Sequence, residues 1–129
     1  ADSGSITVVL ATDAPLLPHQ LKRVARRAAL ALGRMGSFAG NGSGDLFVAF
    51  STANAAALSG VPVAQSTSLA NDALDPLFLA VVQATEEAIV NALVAARDMQ
   101  GTDGNVAKAL PHAELVLLLK RYGRYRAPH

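Results

Sequence analysis

A chain of 129 residues, 51% apolar and only 16% charged, is long enough for one hydrophobic core and points to one domain or one piece of a larger one. Ordinary soluble chains carry roughly 25% charge, and a chain this apolar has ample surface to offset its ordering entropy, which excludes disorder. Eleven basic side chains balance ten acidic ones and cysteine is absent; this excludes a binder of polyanions by net charge, a disulfide framework, thiolate-held metal and a cysteine nucleophile.

The charge is unevenly spread. Lys120, Arg121, Arg124 and Arg126 occupy a basic tail, residues 120–129, that holds no acid. No uninterrupted run of about 18 apolar residues suggests a membrane span. No charged, apolar, small-residue leader opens the chain; a leader could have been removed, so the location is open between cytoplasm and periplasm, with the cytoplasm slightly favoured. The first residue is Ala1 rather than Met, as expected of a trimmed or excised segment, and the low charge suits a segment covered by a partner.

In chain order, Ile6–Ala11 (ITVVLA) is a continuous, partly β-branched apolar run, the signature of a strand buried on both faces. Asp13 and Pro18 fit a helix start, with the Asp as a cap and the proline in the first turn. Leu17, Leu21, Val24, Ala28 and Leu32 then recur at helical spacing, opposite Lys22, Arg23, Arg26 and Arg27. One amphipathic helix to Gly33 follows. Residues 36–44 (GSFAGNGSG) form a glycine-rich loop, and Leu46–Phe50 (LFVAF) repeats the buried-strand signature. Residues 51–73 lack periodicity and read as irregular.

From Asp75 and Pro76 to Gln100 the chain predicts a long helix, apolar over much of its circumference and therefore buried between layers. Gly101 stops it, with a turn at GTDGN. Pro111 opens a last helix that turns Leu115, Leu118 and Leu119 inward and closes at Gly123. Two strands are too few to cover such apolar helices, so the expected fold is a layered α/β structure whose sheet another chain or segment completes.

Few residues could carry chemistry. Gly4 and Ser5 stand directly before the first strand. Were their bond cut, the new α-amine, with an ordinary pKa of about 7.7–8.0, would lie within reach of the Ser5 hydroxyl and could act as its base. The plainer reading is a small polar residue entering a strand. Ser43, Gly44 and Asp45 open the second strand. If the strands are neighbours, Ser43 could hydrogen-bond the nucleophile and Asp45 could orient the amine, whereas the plainer reading is a strand-capping turn.

His19, His112 and His129 share no metal-ligand spacing, and the adjacent Glu86 and Glu87 lie about 100° apart on a helix, so neither metal nor cofactor is expected. The glycines lack a phosphate-loop motif, and the basic helix reads as a solvated face, so neither nucleic acid nor membrane is expected as a partner.

GSITVVLATDAPLLPHQLKRVARRA, then NGSGDLFVAFSTAN, then NALVAARDMQGTDG with ALP, resemble the β chain of the L-aminopeptidase/D-amidase-esterase and β-peptidyl aminopeptidase family of self-cleaving serine hydrolases. The resemblance runs from Gly4 to about Leu119. It implies a precursor cut at Gly4–Ser5, with α and β chains that stay together in an αββα sandwich and assemble further into larger homo-oligomers. It also implies Ser5 as nucleophile with its freed amine as base, and Ser43 and Asp45 as the matching serine and acid; some β-peptidyl members carry Glu at the latter position. Residues 1–129 would then be one β-subunit segment, with residues 1–4 preceding the nucleophile. It would act on small peptides, amides or esters only after that cut, with the oxyanion donors and ammonium pocket on the α chain. An acyltransferase resembling ornithine acetyltransferase, which uses Thr, and a non-catalytic assembly subunit are the alternatives.

Overall fold

The computed structural model describes residues 4–55 and 60–126; the expectations for Ala1, Asp2, Ser3 and His129 and part of the stretch read as irregular lie outside them. Strand β1 (Thr7–Thr12) is followed by helices α1 (Pro18–Ala25) and α2 (Ala28–Arg34), strand β2 (Leu46–Ser51), helix α3 (Asp75–Ala95), strands β3 (Met99–Gln100) and β4 (Val106–Ala107) and helix α4 (His112–Arg121). The mixture is α/β. Contacts divide the chain into two compact units, Ala1–Glu87 and Ala88–His129.

In the first unit β1 and β2 pair in parallel, Thr7 opposite Leu46 through to Thr12 opposite Ser51. Parallel neighbours require a crossover, which α1 and α2 provide. Both strands alternate between half-buried and exposed residues, so among the described residues only one face of the sheet is covered. Leu10 and Ala49 on that face pack with the buried Leu16, Val24 and Leu74 and with Leu77, Phe78 and Val81 of α3.

The single helix expected to Gly33 is two helices. At the junction the Arg27 N–H bonds the Val24 carbonyl at 3.0 Å, one residue short of the α-helical partner. The Arg23 carbonyl left over accepts from the Arg27 guanidinium at 3.1 Å. Apolar spacing continues across the break and so does not reveal it. Nor does Asp13 cap α1: Leu17 is the N-cap with Pro18 behind it, and the Leu17 N–H donates to Gln20 Oε1 at 2.9 Å.

Three arginines then fasten these helices to the turn before α3 and to α3 itself. Arg23 donates to Asn71 Oδ1 at 2.9 Å, Arg27 lies 3.8 Å above the Phe78 ring, and Arg34 pairs with Glu86 at 2.7 Å.

Helix α3 ends at Ala95 rather than Gly101 because Met99–Gln100 pair antiparallel with Val106–Ala107. Asp98 accepts from Lys108 Nζ at 2.7 Å and from the Ala109 N–H at 2.9 Å, holding the base of this hairpin. The expected turn is present, with Asp103 at φ 56° and a 2.8 Å bond from the Gly101 N–H to the Asn105 carbonyl. Helix α4 closes where expected. Gly123 at φ +65° donates to the Lys120 carbonyl and Arg124 to that of Leu119, a Schellman cap. Leu118, however, is 51% exposed; the half-buried residues are Leu115, Val116 and Leu119.

Residues Asn71–Ala95 form a helical stretch long and apolar enough, by length and average composition, to cross a membrane, which an uninterrupted-run criterion overlooks because Gln83, Thr85, Glu86 and Glu87 interrupt it. Leu77, Phe78 and Val81 of that stretch face the core of the first unit.

Candidate active site

Parallel pairing brings both strand beginnings to the same end of the sheet, so Ser5 and Ser43–Asp45, 38 residues or more apart in sequence, meet there. The condition attached to these residues, that the strands be neighbours, is met. The Leu46 N–H donates to the Ile6 carbonyl at 2.9 Å, continuing the ladder one step beyond β1. In a regular parallel ladder the Ile6 N–H would next bond the Gly44 carbonyl. Here it donates to Asp45 Oδ1 at 3.0 Å, so the carboxylate replaces the backbone acceptor and ends the ladder. The Gly44 N–H donates to Ser5 Oγ at 2.9 Å.

Ser5 is exposed, whereas Ser43 and Asp45 are half-buried. Side-chain alternation explains the division. Continuing the strand pattern, Ser5 falls on the open side with Thr7 and Val9, and Asp45 on the helix-facing side with Phe47. Ser43 and Asp45 accordingly line a concavity of about 450 Å³ with Leu32, Phe38, Ala39 and Phe47. Phe38 is 79% exposed at its rim. Among the described residues the hydrogen bond to Ser5 Oγ comes from the backbone of Gly44, not from Ser43, whose own N–H is turned to the Gly40 carbonyl at 2.8 Å. Gly44 is the residue that sequence reasoning missed, since a backbone donor has no side-chain signature.

The other candidates stand apart. His19 is exposed near the start of α1, and His112 Nε2 lies 3.0 Å from the Val94 carbonyl. Among the described residues no three His, Asp or Glu side chains gather as metal ligands would. The Ser5 nitrogen is here the amide of Gly4, so Oγ has a hydrogen-bond donor and an acidic neighbour one residue away but no free amine.

Solved structures place the fold in a class. The L-aminopeptidase D-Ala-esterase/amidase of Ochrobactrum anthropi, described as a prototype for the serine aminopeptidases and a new variant among the Ntn hydrolase fold, matches at TM-score 0.83 and 48% identity, over 95% of this chain and 35% of its own. A β-aminopeptidase of Burkholderia sp. matches at TM-score 0.80 and 43% identity, over 97% of this chain and 36% of its own. The chain therefore has an α/β fold similar to part of an Ntn hydrolase.

Beta-peptidyl aminopeptidase BapA of Sphingosinicella microcystinivorans is 58% identical over 125 residues, 96% of this chain and 32% of that protein. The model of peptidase family S58 matches residues 1–107, and the chain belongs to that family. It spans about a third of the length of the curated relatives it matches.

Proposed function

We propose that this chain is the nucleophile-bearing β subunit of a self-processing aminopeptidase that releases amino-terminal residues from small peptides, amides or esters. The observation that carries the reading is the strand-tip cluster, in which Ser5 Oγ is held by the Gly44 N–H and the adjacent Ile6 N–H by Asp45.

Cleavage of the Gly4–Ser5 bond turns an amide nitrogen, which has no basic lone pair, into an amine that does. The neutral amine takes the Oγ proton as Oγ bonds the substrate's carbonyl carbon. The carbonyl carbon–nitrogen bond then breaks and the departing amine receives that proton, leaving an ester on Ser5. Water, deprotonated by the same amine, attacks the ester and releases the amino acid, and the proton returns to Oγ. Asp45, whose Oδ1 accepts from the adjacent Ile6 N–H, orients the amine in this proposal and favours its ammonium form, which stabilises each state in which the amine holds a proton. Ser43 is the proposed second serine, a hydrogen-bond partner for the nucleophile.

The fold in this proposal is an αββα sandwich completed by an α chain cut from the same precursor, in higher assemblies of αβ units. Its oxyanion donors and ammonium pocket lie on the α chain. Support comes from the aminopeptidase names of the relatives and from the third of their length that this chain covers.

The test is expression of the full-length precursor, with intact-mass analysis of its subunits and an assay on amino-acid p-nitroanilides. A subunit beginning at Ser5 and loss of hydrolysis in Ser5→Ala are expected. A parent enzyme that turns over substrate while Gly4 remains attached to Ser5, or a Ser5→Ala variant as active as the parent, refutes it.

A further inference from the structure

The strand tip carries one more functional position. We infer that Gly44 is the positioning residue of the nucleophile. Its N–H holds the Ser5 hydroxyl in one rotamer, and its missing side chain keeps open the space that the acyl group takes up once Oγ has reacted. The inference rests on Ser5 being the nucleophile, as proposed above.

Two observations bear on the same atom. The Gly44 N–H donates to Ser5 Oγ at 2.9 Å, and a Cβ built on Gly44 would stand 3.4 Å from that oxygen, its nearest neighbour. Exposed serines exchange among three staggered rotamers. A donor fixed in the backbone selects the one that aims an Oγ lone pair at Gly44, leaving the hydroxyl proton free to turn toward the nitrogen of Ser5 itself. Backbone donors serve this purpose well because they do not reorient when the charge on the oxygen changes.

The glycine is required for a second reason. Its φ is not in the left-handed region and the 3.4 Å approach is ordinary van der Waals contact, so the resting fold has room for an alanine there. The reacting state does not. When Oγ bonds a carbonyl carbon, three further substituents crowd around a point one bond length from Oγ, and a methyl at 3.4 Å from the oxygen meets them. The clash exists in the tetrahedral state and the ester and is absent before the bond forms. A lesion of this kind lowers kcat and leaves KM nearly unchanged, and it grows with the size of the acyl residue.

The experiment compares Gly44→Ala with the parent in the full-length, self-processed protein, using glycyl, alanyl and leucyl p-nitroanilides. Gly33→Ala serves as control, since a Cβ on Gly33 has no heavy atom within 4 Å. The expected result for Gly44→Ala is a thermal midpoint near the parent's and a kcat reduced at least tenfold on the leucyl substrate, with a smaller reduction on the glycyl one and KM within about threefold. If the variant precursor cleaves itself too slowly for kcat to be measured, the rate of its Gly4–Ser5 cleavage replaces kcat as the readout, and a rate at least tenfold below the parent's is expected.

A kcat and cleavage rate equal to the parent's overturns the inference, as does a uniform loss across the three acyl groups. A midpoint more than about 10 °C lower also overturns it, because it assigns Gly44 to the fold instead of to the reacting oxygen. Ser5→Ala measured in parallel separates the two readings. If it abolishes hydrolysis while Gly44→Ala behaves like the parent, only this inference fails; if it is fully active, the assignment of the nucleophile has failed first.

Discussion

Replacing Asp45 tests whether the strand tip is held by its carboxylate. Asp45 Oδ1 is the acceptor for the Ile6 N–H at 3.0 Å, in the ladder position that a backbone carbonyl would otherwise fill. A hydrogen bond to a charged group contributes about 1.5–3 kcal/mol, and a neutral one about 0.5–1.5. Asp45 is only half-buried, so water can partly replace it and the lower part of each range applies. Asp45→Ala is therefore expected to loosen the tip by about 1.5 kcal/mol, and Asp45→Asn, which keeps an acceptor oxygen, by less than about 1 kcal/mol. Since about 1.4 kcal/mol is a factor of ten, hydrogen exchange at Ile6 should speed up roughly tenfold in the alanine variant, with Leu10–Thr12 unchanged. Exchange mass spectrometry on the full-length precursor measures this. Under the proposed function both variants should lose hydrolytic activity, because neither carries the negative charge that orients the proposed ammonium of Ser5. An Ile6 amide equally protected in Asp45→Ala and the parent, or loosening spread evenly along β1, would refute the reasoning.

Other expected outcomes concern the frame around the site. Leu74 is fully buried at the junction of α1, the sheet and α3, and Leu74→Ala should destabilise by about 2–5 kcal/mol, measured by chemical unfolding. Arg27→Ala removes the guanidinium stacked on Phe78 and the donor to the Arg23 carbonyl; a loss of about 1–2 kcal/mol is expected, and Arg27→Lys should not restore it, because an ammonium cannot stack. The Lys108 ammonium, with help from the Ala109 N–H, holds the Asp98 carboxyl below the usual carboxylate range. A carboxylate depressed in the folded state stabilises above its unfolded pKa, and that contribution vanishes as pH falls through the folded value. Protection of the Ala109 amide should thus be constant from pH 7 to about 5 and fade below about 4; fading already at pH 6 would contradict it.

How far the sequence speaks depends on which interactions have side-chain signatures. Apolar runs located β1 and β2 to within one residue, because a strand packed on a core needs them regardless of its neighbours. Their parallel pairing, which brings the candidate residues together, enters the sequence reading only as a condition, since nothing in either run encodes its partner. Ser5, Ser43 and Asp45 are singled out by resemblance and chemistry, and the pairing brings them to one strand tip, which is where the sequence leaves their roles as a proposal. The contact of Gly44 with Ser5 is not legible in this way, because it is made through a backbone N–H. The break at Arg26–Arg27 escaped because two residues in a tighter turn hardly disturb a 3.6-residue period. The β3–β4 hairpin escaped because two-residue strands have no period at all, and its anchor is a carboxylate ten residues from its ammonium.

Burial on both faces is the sequence's expectation for these strands, yet among the described residues one face is open. Val9, Leu46, Val48 and Phe50 share that face and are 62, 62, 52 and 46% exposed. Parallel sheets are stable when both faces are covered, and two strands alone hardly hold together in water. Alternation puts Ser5 on this same open side, so a layer that covers the sheet also roofs the nucleophile. In the proposed heterodimer the α chain therefore does two things with one surface, supplying the missing core and walling the substrate site. Val48→Asp separates them from Ser5 chemistry, since Val48 lies four residues along β2 from Gly44 and puts a charge into the covered layer, where an unpaired carboxylate is worth several kcal/mol against association. Co-purification of the two subunits should be lost, and hydrolysis with it, although Ser5, Ser43 and Asp45 are intact. A Val48→Asp protein that assembles and hydrolyses as the parent does would show that this face stays in water and that the site is closed from elsewhere.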